Sequence, residues 1–90
     1  MKELSIVEAE MHKQEDGSYI GKTVFQVESH KAGYEITFYS KKGHDWDYSL
    51  HYAGESGMEE QFIAVDARLE EDDEWFDALL NAALGTLPEE

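Results

Sequence analysis

Gly57-Met58-Glu59-Glu60-Gln61-Phe62-Ile63-Ala64-Val65-Asp66-Ala67-Arg68-Leu69 can be read in two ways, and the choice sets the fold. Taken two at a time, Ile63, Val65, Ala67 and Leu69 alternate as a strand does. Taken at helical spacing, Met58, Phe62, Val65 and Leu69 share a side, and Ser56 with Glu59 reads as a capping box. The compact apolar run Phe62-Ile63-Ala64-Val65, following a turn signal, favours the strand. The expected fold is therefore α+β. An antiparallel meander of four or five strands packs against one C-terminal amphipathic helix. The alternative is four strands followed by two helices.

Upstream of this stretch the punctuation is regular. Glu15-Asp16-Gly17-Ser18 carries the Asp-Gly pair of tight hairpins. His30-Lys31-Ala32-Gly33, Lys41-Lys42-Gly43-His44 and Gly54-Glu55-Ser56-Gly57 are further turn signals. Between them lie four runs rich in β-branched and aromatic residues, at residues 4–12, 19–29, 34–40 and 45–53. Such short spacings mean hairpins, hence antiparallel pairing. Tyr34, Ile36 and Phe38 alternate with Glu35 and Thr37. Trp46, Tyr48, Leu50 and Tyr52 alternate with Asp45, Asp47, Ser49 and His51. Each of these strands should have one buried and one wet face. The first two runs break the alternation, since Leu4 and Ile6 fall opposite Val7, Ala9 and Met11. A bulge near Gly21, or cover on both faces, would account for it.

Downstream, Trp75, Phe76, Leu79, Leu80, Ala83 and Leu84 follow the spacing of an amphipathic helix over residues 72–85. Asp72 or Asp73 can cap its start. Gly85 stands at the place of a left-handed C-terminal cap, with Pro88 beyond it. On a wheel of about 100° per residue, the apolar arc from Ala78 to Leu80 spans about 200°. That is about twice what one sheet needs, so the helix requires a second neighbour. A curved sheet, a helix at residues 57–69, or a second copy of the chain through this helix would serve.

Ninety residues with 41% hydrophobic content make one domain over residues 1–90. The chain has no cysteine, which excludes disulfides, thiolate metal sites and a thiol nucleophile. The first residues are interrupted by Glu8 and Glu10, unlike a signal peptide, and no run is long enough for a membrane span. A cytoplasmic, membrane-independent protein is expected. The net charge of −14 is unevenly placed. Residues 1–45 hold six Lys and eight acidic residues, whereas residues 46–90 hold Arg68 alone against thirteen acidic ones. Such a surface repels nucleic acid and suits a basic protein partner.

Chemistry-bearing clusters are sparse. His44, Asp45, Asp47 and His51 are the densest set of metal-ligand types, in a two-carboxylate, imidazole pattern suited to a divalent cation. Asp47 and His51, however, would stand about 13 Å apart along a strand. A calcium loop from Asp45 lacks glycine at Leu50 and glutamate at Ser56. Gly54-Glu55-Ser56-Gly57 misses the nucleophile-elbow pattern at Met58. Phosphate-binding glycine motifs are absent, and no catalytic residue or cofactor is nominated. The acidic run Glu70, Glu71, Asp72, Asp73 and Glu74, with Trp75 after it, is the candidate interaction surface. Three functions are open: a non-enzymatic interaction protein, a nucleic-acid mimic that inhibits a basic DNA-binding protein, and a small metal-binding or enzymatic domain.

Overall fold

A computed structural model describes residues 4–87. Four strands come first: β1 (Leu4–Lys13), β2 (Tyr19–Val27), β3 (Tyr34–Ser40) and β4 (Asp47–Tyr52). Two helices follow, α1 (Glu59–Glu71) and α2 (Asp73–Leu84). The strands pair in chain order, β1-β2-β3-β4, every neighbour antiparallel. The fold is thus an α+β meander with two helices. Residues 57–69 contribute a helix and not a fifth strand. Their composition explains this: Glu, Gln, Ala, Arg and Leu dominate the segment, and these residues lose little side-chain freedom in a helix.

Each expected turn is present. Gln14 N donates to Ser18 O at 2.7 Å, and Gly17 takes a φ of 89° that a side chain would disfavour. Asp16 Oδ1 accepts from both the backbone N–H and the hydroxyl of Ser18. The broken alternation of the first hairpin comes from a bulge in β1 and not from one near Gly21. Register shifts between Ile6 and Glu8, so Val7 is the extra residue. Leu4, Ile6, Ala9 and Met11 thereby share the inner face with Phe25, Thr23 and Gly21. Gly21 is instead a point of close approach, where a Cβ would overlap the Glu10 carbonyl and Met11.

The helices cover one face of the sheet. Phe25, Tyr34, Ile36 and Phe38 are fully buried beneath them, with Val65 and Leu69 of α1 and Trp75, Leu79, Leu80 and Ala83 of α2. Trp46, Tyr48, Leu50 and Phe76 are half-buried and pack against this core. Phe76 stands edge-on to Phe38 at 5.6 Å and to Tyr48 at 5.5 Å. Thr23 Oγ1 donates to the Leu79 carbonyl at 2.8 Å, tying β2 to α2. α2 lies across β1 and β2 and also against α1. The second neighbour demanded by its wide apolar arc is therefore α1, within the same chain.

The helix ends depart from the sequence pattern in two places. Met58 precedes α1 without a side-chain cap, so the Ser56–Glu59 capping box does not form. Gly85 ends α2 in a right-handed conformation, φ −63°, and not a left-handed one. Pro88 lies outside the described residues. Among the described residues no helix is long and apolar enough to cross a membrane.

Candidate functional site

Between Glu59 and Leu84 the chain has nine Asp or Glu residues and one cation, Arg68. The two helices display most of these carboxylates outward. Glu59, Glu60, Glu70 and Glu71 are exposed on α1, and Asp73, Glu74 and Asp77 on α2. The helices meet at a one-residue joint, Asp72, so the end of one acidic helix continues into the start of the next. Local chemistry makes that joint. The Asp72 backbone N–H donates to Arg68 O at 2.8 Å, closing α1. Its carboxylate Oδ1 accepts from the Glu74 N–H at 3.0 Å, opening α2. Acidic residues at this position also complement the positive end of the α2 dipole.

Arg68 is held from two sides. Its Nε donates to Asp72 Oδ2 at 2.8 Å, and its guanidinium lies 4.4 Å from the centre of the Trp75 ring. This cation–π contact is built on a buried indole, 4% exposed. The hydrogen bond from Arg68 holds the Asp72 carboxyl below its ordinary range, with further help from the backbone N–H groups of Glu74 and Trp75. Trp75 therefore does not belong to the interaction surface proposed from the sequence. It is core, and it fixes the one cation of the ridge in place. The exposed ridge is Glu70, Glu71, Asp73 and Glu74, flanking Asp72. Its field reaches the sheet. The Tyr48 hydroxyl is pushed up by burial first, then by the Asp66 and Glu70 carboxylates.

The sequence-derived metal candidates do not converge. β4 begins at Asp47, so Asp45 sits in the preceding turn, where its carboxylate lies 3.5 Å from His44 Nδ1. Asp47 pairs across the sheet with Tyr39, and His51 Nε2 shares a hydrogen bond with Ser49 Oγ at 2.9 Å. Among the described residues no three His, Asp or Glu side chains are placed to hold a metal ion.

One juxtaposition was not visible in the sequence. The β2–β3 turn places His30 Nδ1 2.9 Å from the Tyr34 hydroxyl. His30 lines a cleft of about 350 Å³ between this turn and the helices, with Glu28, Ser29, Arg68 and Trp75. Ser29 at its lip has a left-handed φ of 70°, and α1 clamps the turn through Gln61, whose Oε1 accepts from the Lys31 N–H at 3.0 Å. The only sequence signal for this site was the turn itself. Its two charged groups, Glu28 and Arg68, are opposite in sign, so the cleft offers a charged ligand far less than the ridge does. No protein-family model, curated protein or solved structure matches the chain, and the ridge stands on its own geometry.

Proposed function

We propose that this chain is a non-enzymatic, cytosolic interaction protein that docks a basic protein on the acidic ridge at the α1–α2 joint. One observation carries the reading. Nine carboxylates crowd two short helices and their joint, where the single cation is already engaged by Asp72 and Trp75. A surface of one sign steers an oppositely charged partner and repels nucleic acid and anionic membranes. Surface carboxylates of this kind act mainly on association rate, so salt should weaken the contact steeply.

The test compares the full chain with a Glu70→Gln, Glu71→Gln, Asp73→Asn, Glu74→Gln variant in pull-downs from the native host. Asp72 is kept because it caps α2. A basic partner should be retained at about 50 mM salt and released by about 300 mM, as screening shortens the reach of the field. The variant should lose it at both. Equal capture by both chains at low salt would overturn the reading. Displacement of the partner by duplex DNA would show that the ridge occupies a nucleic-acid site.

A further inference from the structure

The outer edge of β1 is a second surface, independent of the ridge. β1 has ten residues, the longest strand of the sheet, and it stands at the edge. Among the described residues no strand pairs with its free side. From Glu8 to Lys13 its register with β2 runs without interruption. On an antiparallel edge every second residue turns its N–H and C=O outward, so this stretch offers backbone groups to an added strand over about 20 Å. The bulge at Val7 bends the strand away and sets one limit to the usable edge.

The two faces of this edge differ in chemistry. Glu8, Glu10 and His12 lie on the outer face, opposite Val24, Lys22 and Ile20, and all three are exposed. Ala9 and Met11 lie on the inner face, where α2 crosses β1. Lys13 ends the inner row, over the Tyr19 ring. An added strand would extend the sheet and set its inward residues beside Ala9 and Met11.

We propose that residues 8–13 take up, as a fifth strand, an extended partner segment in which Lys or Arg alternates with apolar residues. Main-chain hydrogen bonds supply the affinity of such strand addition, and alternate side chains supply the specificity. The cations stand beside the outward carboxylates and the apolar residues face α2. Glu10 already accepts from His12 at 2.7 Å and lies 3.9 Å from Lys22, so Glu8 reads the incoming cation first. Outward carboxylates blunt an edge against indiscriminate pairing and favour an incoming strand that places cations beside them. The opposite edge, β4, is shorter, with six residues.

The probe is a capped Lys-Val octapeptide of strict alternation, titrated into the isotope-labelled full chain and followed by amide NMR and hydrogen exchange. A Lys4Val4 block peptide has the same composition and charge. The alternating peptide should shift and protect the amides of residues 8–13 and bind at least about tenfold more tightly than the block peptide. Glu8→Lys with Glu10→Lys should weaken it about tenfold, the size of two reversed cross-strand pairs, and should confer binding of a Glu-Val octapeptide. The four-site ridge variant should still bind the alternating peptide at β1. Shifts confined to residues 70–77, equal binding of the block peptide, or no binding at millimolar peptide would overturn the proposal. The first of these outcomes would leave the ridge reading standing.

Discussion

Asp72 does three things with one side chain and one amide. Its N–H closes α1, one carboxylate oxygen opens α2, and the other binds Arg68. Because the Arg68 hydrogen bond lowers its folded pKa, the unfolded state takes up the proton first as pH falls. The stabilisation from the charged form is therefore complete above the ordinary carboxylate range, near 3.8, and is lost as pH falls through the lower folded value. Asp72→Asn should melt at a lower temperature than the parent at pH 7. The gap should stay constant down to about pH 5 and close below about pH 3. Thermal melts across that range check it, and a gap that persists at the acid end would count against the Arg68 link. The capping role was legible from the Asp72-Asp73 pair. The Arg68–Trp75 contact was not, because a wheel places Trp75 on the apolar side without saying that a guanidinium lies over its ring.

At the scale of elements, the strands and turns were readable because period-2 patterning and Gly-bearing turns agree with each other. α1 was legible only as the alternative to a strand, because Ile63, Val65, Ala67 and Leu69 alternate by coincidence with a helical face of Phe62, Val65 and Leu69. Two substitutions separate these patterns. On a strand, Ile63 and Leu69 would share one face and both would matter. On α1, Ile63 is 58% exposed and Leu69 only 3%. Leu69→Ala should cost about 2–4 kcal/mol, as for a buried leucine whose site only partly collapses. Ile63→Ala should be neutral or stabilising by about 0.5 kcal/mol, since alanine is the better helix former. Denaturant unfolding of the two variants checks this, and comparable losses in both would contradict the helix. The wide apolar arc of α2 was read correctly as a demand for a second neighbour. Which neighbour depended on α1, so the two readings of one segment also left room for a homodimer.

Over the whole molecule, charge sets a tension between stability and binding. The chain carries a net charge of −14, and the fold has a radius of gyration of 13.1 Å. At about 10 mM salt the screening length is about 30 Å, so every carboxylate feels the rest; at about 0.1 M it is about 10 Å, and distant pairs are screened. Compact carboxylates repel more strongly than those of an extended chain, so salt should favour the folded state. The melting temperature should therefore rise by several degrees between about 10 and 500 mM sodium chloride, since about 1 kcal/mol moves a domain of this size by about 4–8 °C. Docking of a basic partner on the ridge should weaken over the same range. The two trends have opposite signs, and this separates them: loss of binding at high salt cannot then be attributed to unfolding. Neutralising Glu70, Glu71, Asp73 and Glu74 should flatten the salt dependence of the melting temperature while removing the partner; the low-salt value should move less, since Asp73 and Glu74 also complement the α2 dipole. A melting temperature that fell with salt, or a four-site variant whose salt dependence matched the parent's, would mean that the ridge carboxylates are not a repulsive surface kept for a partner.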